Sequence, residues 1–119
     1  MSASEWRRTL DINTTGSFLC AQAAAKTMIA QKTGGSIVFI ASISAQKTNF
    51  PQPQAAYNAS KAALVSLKRS LAAEWAVHGI RVNSLSPGVG GGEGGVEGTV
   101  SDGEDGESGG VGGAVGAAL

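Results

Sequence analysis

Residues 36–41, Ser36-Ile37-Val38-Phe39-Ile40-Ala41, form a short apolar run without polar alternation. A strand with one solvated face alternates apolar and polar residues; a strand covered on both faces, as in a parallel sheet, is apolar throughout. The run therefore reads as a strand buried on both faces. Upstream, Ser4-Glu5-Trp6 opens a helix, with Ser4 as N-cap and an acid in the first turn. Apolar positions recur at Trp6, Leu10, Phe18, Ala21, Ala25 and Met28, and Lys32-Thr33-Gly34-Gly35 supplies the stop signal. Gly16 weakens the middle of that helix and marks close packing or a bend.

Downstream, residues 42–54 form a polar connection whose Pro51 and Pro53 exclude a helix interior. An alanine-rich helix follows over residues 55–78, with bulk from Val65, Leu67, Leu71, Trp75 and Val77 and a stop at His78-Gly79. Residues 80–85, Ile-Arg-Val-Asn-Ser-Leu, read as a second strand, and Ser86-Pro87-Gly88 as the turn out of it. The order helix, strand, helix, strand contains a right-handed βαβ crossover. The fold class is α/β, a partial doubly wound parallel sheet of Rossmann type. Two parallel strands cannot cover both of their faces alone, so the chain reads as a piece of a larger domain.

From Gly88 to Leu119 there are 32 residues, of which 14 are glycine and six are acidic, with no lysine or arginine. Glycine loses the most backbone entropy on ordering, and this stretch has little apolar area to offset that loss. Residues 90–119 are expected to be a disordered acidic tail. The overall formal charge of zero thus divides into nine bases against three acids in residues 1–87 and six acids after them. A basic body favours an anionic ligand such as a dinucleotide phosphate, although lysine and arginine are usually just solvated. The single cysteine, Cys20, excludes an internal disulfide and reads as a small buried hydrophobe in a reducing compartment. No signal core or membrane-length apolar run is present, so a cytoplasmic location without a membrane partner is expected. Nothing points to nucleic acid. Trp6 and Trp75 read as packing residues.

The chemistry centres on Tyr57, the only tyrosine, and Lys61, one helical turn later on the same face. A phenol titrates near ~10 in water, and a neighbouring ammonium favours its phenolate, so the pair makes a tuned acid/base. The plainer reading is an exposed i,i+4 pair on a solvated face. Context decides between them. Tyr57-Asn58-Ala59-Ser60-Lys61-Ala62-Ala63 resembles the YxASKAA stretch of the short-chain dehydrogenase/reductase family. Residues 11–18 (DINTTGSF) resemble its helix bearing the catalytic asparagine, and residues 35–42 (GSIVFIAS) its strand running into the catalytic serine. Residues 80–88 (IRVNSLSPG) resemble the strand that ends in its Pro-Gly motif. The four motifs occur in the family's order and spacing and cover about residues 5–89, and the resemblance implies that residues 1–89 are a partial catalytic segment of that family.

The resemblance implies reversible hydride transfer between NAD(P)H and a carbonyl/alcohol pair, with NADP favoured over NAD. Tyr57 would move the proton; Lys61 would lower its pKa and bind the nicotinamide ribose. Ser42 would orient the substrate. Asn13 would hold a water linking Lys61 to solvent, and Pro87-Gly88-Val89 would lie along the nicotinamide. Ser44 competes with Ser42, which alignment on the strand favours; the rival reading of Asn13 is a residue that caps or bridges a helix irregularity, and that of Pro87-Gly88 is a plain chain reversal. The loop over residues 45–56 resembles polyol and ketose reductases of the family, such as mannitol, arabinitol and sorbose enzymes, while 3-oxoacyl carrier-protein reductases use the same catalytic set with another loop.

Family members begin with a strand and a glycine-rich turn that cradles the cofactor pyrophosphate, and nothing before Trp6 supplies one. Gly90, Gly92 and Gly95 match the GxGxxG spacing, but chance explains that at this glycine density, and no apolar-periodic helix follows. The abrupt switch after Val89 has the look of a shifted reading frame or a mispredicted splice. The alternative function is a catalytically inactive fragment acting as an interaction module. Family members usually form homo-oligomers through the two long helices, and the small face Ala55, Ala59, Ala62, Ala63 and Ser66 would allow close helix contact.

Overall fold

The computed structural model describes residues 1–48, 51–89, 96–101 and 114–117, the last two stretches and Val89 as backbone only. The first helix, α1 (Ala3–Leu10), has its cap two residues before the expected one. Ser2, not Ser4, caps it: the Glu5 N–H donates to Ser2 Oγ at 3.2 Å, and the Ser2 N–H returns a bond to the Glu5 carboxylate. This reciprocal pair satisfies two otherwise orphaned donors. The Ser2 backbone and hydroxyl bonds hold the Glu5 carboxyl below its ordinary value.

Residues Asp11–Thr15 form a single π turn, with the Gly16 N–H reaching back five residues to the Asp11 carbonyl. This turn ends immediately before Gly16, the position expected to mark close packing or a bend. Helix α2 (Gly16–Gln31) continues beyond it and buries the stripe Ser17, Ala21, Ala25, Met28. Cys20 lies one residue off that stripe, about 100° around the helix, and is exposed rather than buried. The helix stops at Lys32, which adopts φ 54° in the left-handed region. The Lys32 N–H bonds Ile29 O at 3.2 Å and the Thr33 N–H bonds Met28 O at 3.4 Å. This is a Schellman closure with lysine where glycine is usual. Gly34 follows at φ 65°.

Strand β1 (Gly35–Ile40) and strand β2 (Ile80–Val89) pair in parallel from Gly35↔Ile80 to Ile40↔Leu85. Helix α3 (Ala55–Trp75) and a 3-10 turn (Ala76–His78) connect them, closed by Gly79 at φ 72°. Pro87-Gly88 does not turn out of β2 as expected but continues it. Pairing with β1 ends at Leu85, so beyond it the proline leaves no bond to β1 unmade.

Burial alternates along both strands. Ile37, Phe39 and Ala41 of β1 and its exit, with Ile80, Val82, Ser84 and Ser86 of β2, are buried. Val38, Ile40, Asn83 and Leu85 are half-buried and Arg81 is exposed. Ala21, Ala25 and Met28 of α2 and Leu64 and Leu71 of α3 complete the core around Phe39. The described helices therefore cover one face of the sheet, not the two expected from the apolar run. Trp75 packs on this core, whereas Trp6 sits on α1, which buries no residue, and is exposed.

The buried stripe of α3 is Ala56, Ser60, Lys61, Leu64, Lys68 and Leu71. Of the small face, Ala59, Ala62 and Ala63 are half-buried and Ala55 and Ser66 are exposed. Within the stretch expected to be disordered, β3 (Val96–Ser101) pairs antiparallel with β2, and β4 (Ala114–Ala117) pairs parallel with β1. The sheet order is β3-β2-β1-β4. These short strands use the ladder positions that β1 and β2 would otherwise leave open at their outer edges. The rest of the tail, with Gly90, Gly92 and Gly95, lies outside the described residues.

Candidate active site

Three elements converge where β1 ends. The strand leaves the sheet at Ala41-Ser42, α3 begins with Tyr57 and Lys61 in its first two turns, and the π turn carries Asn13. Lys61 is 5 % exposed. Its Nζ donates to the Ile40 carbonyl at 3.1 Å and lies 5.7 Å from the centroid of the Tyr57 ring. That separation is within cation–π range. Burial disfavours the ammonium and pushes the Lys61 pKa below its ordinary value. Tyr57 is 37 % exposed, so it stands at the surface beside an almost fully buried cation. The exposed i,i+4 pair on a solvated face, the plainer reading of the sequence, is not what the structure shows, because Lys61 is buried. The other bases are exposed, except Lys68, which is buried two turns farther along α3.

Asn13 does not reach Lys61 with its carboxamide. Its Nδ2 donates to Ser60 Oγ at 3.0 Å, and its carbonyl accepts the Ser17 hydroxyl at 2.7 Å. Ser60 in turn donates to the Tyr57 carbonyl at 2.7 Å, and its own carbonyl accepts Thr14 Oγ1 at 3.1 Å. Ser60 and Thr14 were not singled out from the sequence, although Ser60 stands inside the recognised motif. Ser42 and Ser44 are both buried, and the Ser44 N–H donates to Ser42 Oγ at 3.1 Å. Ser42 thereby caps the 3-10 turn Ile43–Ala45 that leads away from the strand. Pro87 and Gly88 are half-buried in β2. A Cβ on Gly88 would stand 2.5 Å from Ile43 Cδ1, so the glycine permits this turn to pack on β2. Among the described residues, Asn58 Oδ1 is a buried acceptor without a partner, next in sequence to Tyr57.

Residues 1–91 match the family described as enoyl-(acyl carrier protein) reductase. A short-chain type dehydrogenase/reductase from Mycobacterium marinum, known as a crystal structure, is 50 % identical, with a TM-score of 0.73 over 74 % of this chain and 35 % of that one. The chain belongs to the short-chain dehydrogenase/reductase family. Among its relatives, the galactitol 2-dehydrogenase of Rhizobium johnstonii is 51 % identical over 87 residues, which are 73 % of this chain and 34 % of the relative. A ribulose-forming D-arabinitol 2-dehydrogenase of Candida albicans is 51 % identical over 66 % of this chain and 28 % of its own length. The chain thus spans about a third of the length of the relatives it matches. Short-chain dehydrogenases/reductases are oxidoreductases that act on small molecules with NAD(P), and the fold described above is their Rossmann-type α/β sheet in part. Among the described residues, no helix is long and apolar enough to cross a membrane.

Proposed function

We propose that this chain carries the proton-transfer centre of a polyol or sugar dehydrogenase. The observation that carries the reading is the packing of the buried Lys61 ammonium against the ring of a surface-accessible Tyr57. Tyr57 gives its phenolic proton to the substrate oxygen in reduction and takes it back in oxidation. Lys61, desolvated and held by Ile40 O, stabilises negative charge on the phenolate. Ser42, at the exit of β1, orients the substrate oxygen. Asn13, whose Nδ2 is engaged with Ser60, holds a water that links Lys61 to solvent.

The residues present fit the nicotinamide-ribose end of NAD(P). An ammonium has three donors, and among the described residues one of those of Lys61 is placed, on Ile40 O. These donors, the Tyr57 hydroxyl and Pro87-Gly88-Val89 would hold that end, with NADP favoured over NAD. Bound there, the cofactor supplies or accepts the hydride. The relatives named for galactitol and arabinitol favour a polyol substrate. A second reading, an acyl thioester, is favoured by the description of the matching family. A third, an interaction module without activity, is favoured by Val38, Ile40 and Leu85, which remain half-buried on the sheet face that the described helices do not cover. Contact between copies through α2 and α3, and a cytoplasmic setting that keeps the exposed Cys20 thiol reduced, complete the proposal.

Calorimetric titration of the purified chain with NADPH and NADH, followed by turnover assays with galactitol and arabinitol, tests this. Binding with turnover that Tyr57→Phe abolishes, while binding persists, is the expected result. Cofactor binding without any turnover, or turnover surviving Tyr57→Phe, would refute the proton-transfer role.

A further inference from the structure

We propose that Ser60 is a positioning residue, a hydroxyl clamp that fixes the Tyr57–Lys61 turn of α3 against the π turn of the preceding helix. The inference rests on the reading of Tyr57 and Lys61 as the proton-transfer pair. Ser60 is 0 % exposed and lies in sequence between the two. A serine hydroxyl has one proton and two lone pairs. Here the proton goes to the Tyr57 carbonyl at 2.7 Å, and a lone pair accepts from Asn13 Nδ2 at 3.0 Å. The Ser60 carbonyl is held as well, by Thr14 Oγ1 at 3.1 Å.

The π turn makes this double grip possible. Adjacent residues of a regular α-helix diverge by about 100°, so two consecutive side chains seldom reach one partner residue. Asn13 and Thr14 are consecutive, lie within Asp11–Thr15, and both bond Ser60. The irregularity in the first helix therefore presents two polar side chains to one buried residue of α3. Through the bond to the Tyr57 carbonyl the grip extends to the backbone that carries the phenol. The clamp acts on the reaction only through that backbone, since neither Ser60 nor Thr14 stands among the groups proposed to touch substrate or cofactor.

Because Tyr57 is the single tyrosine, its ring resonances can be read alone in a ¹³C-tyrosine-labelled sample of the full chain. The perturbation is Lys61→Met, which removes the charge 5.7 Å from the ring centroid. In the wild-type background this substitution is expected to shift the Tyr57 ring resonances. In a Ser60→Ala background the response should fall by about half or more, as expected for coupled neighbours, while Ser60→Thr, which keeps a hydroxyl, should restore it. Asn13→Ala should weaken it similarly, and the Ser60→Ala/Asn13→Ala double variant should do little more than either alone. Far-ultraviolet circular dichroism checks that each variant is folded. If Ser60→Ala does not fold, Asn13→Ala interrogates the same bridge from its half-buried end. A full Lys61 response in whichever of these variants folds overturns the clamp alone. Tyr57 resonances that ignore Lys61→Met in the wild-type background overturn both the clamp and the proton-transfer pair.

Discussion

Replacing Gly88 by alanine separates two explanations for a glycine at this end of β2. One is that a cofactor must approach the backbone closely. The other is that the turn after β1 must. The added Cβ would stand 2.5, 2.7 and 2.9 Å from Cδ1, Cγ2 and Cγ1 of Ile43, all well inside van der Waals contact. Three atoms of one branched side chain cannot all move aside through a single rotation, because β-branched side chains are stiff at χ1. Overpacking of this kind costs about 1–3 kcal/mol. Ile43→Ala removes all three atoms and, since Ile43 is half-buried, should itself cost about 1–2 kcal/mol. In that background the clash is gone. Gly88 is not among the glycines with positive φ, so alanine there should stabilise by about 0.4–1 kcal/mol through the unfolded state. The sign of the Gly88→Ala effect therefore inverts, with a coupling of roughly 1.5–4 kcal/mol between the two sites. Urea unfolding followed by circular dichroism on the four members of the cycle measures this. Additive effects would refute the packing argument and return Gly88 to a role in cofactor approach alone.

Lys32→Gly should raise stability by about 1 kcal/mol, because lysine at φ 54° carries the left-handed penalty that glycine lacks; an unchanged thermal midpoint would contradict the Schellman closure. Gly34→Ala and Gly79→Ala both place alanine at positive φ, but the first would clash with backbone, Gly79 O at 2.8 Å, while the second meets Gly34 Cα at an ordinary 3.6 Å, so the first should cost at least about 1 kcal/mol more in the same urea assay. Lys61 has a folded pKa below its ordinary value of 10.5, so the unfolded chain binds more protons between the two values and stability should rise with pH there. Unfolding of wild type and Lys61→Met from pH 7 to 10.5 should show wild type gaining on the variant as pH rises; a constant difference would argue that Lys61 is solvated in the folded chain.

The part of the fold legible in the sequence is the part set by period and punctuation. The apolar run at Ile37–Ile40, the glycine at Gly79 and the alanine-rich stretch between them identify β1, α3 and the start of β2, because each carries its signal locally, whereas the end of β2 runs on to Val89, past the expected Leu85. The disagreements arise where a local signal has two satisfiable outcomes. Ser2 and Ser4 both precede Glu5, but only Ser2 stands three residues before it, the spacing a capping box needs. Lys32 and Gly34 both offer a helix stop, and the chain takes left-handed geometry at each. Pro87 reads as a turn when β2 is imagined between two equal neighbours. It becomes a strand residue once pairing with β1 stops at Leu85. The extent of a partner strand is a non-local fact, and no window around Pro87 contains it.

The candidate site divides along the same line. Tyr57 and Lys61 are four residues apart on one helix, so their proximity follows from helical geometry alone. What the spacing does not reveal is which of the two is buried. A lysine facing the core beneath an exposed tyrosine is the reverse of the usual order of burial, and it arises because Lys61 lies in the stripe of α3 shared with Ser60 and Leu64 and finds Ile40 O at the strand end. Asn13 illustrates the opposite case. Its place in the motif was visible, but its partner was not, because Ser60 is 47 residues away in sequence and bonded from the π turn. The two readings of Asn13, helix irregularity or contribution to chemistry, are therefore not alternatives. The irregularity is what brings Asn13 and Thr14 onto Ser60, and Ser60 is what joins them to the backbone of Tyr57.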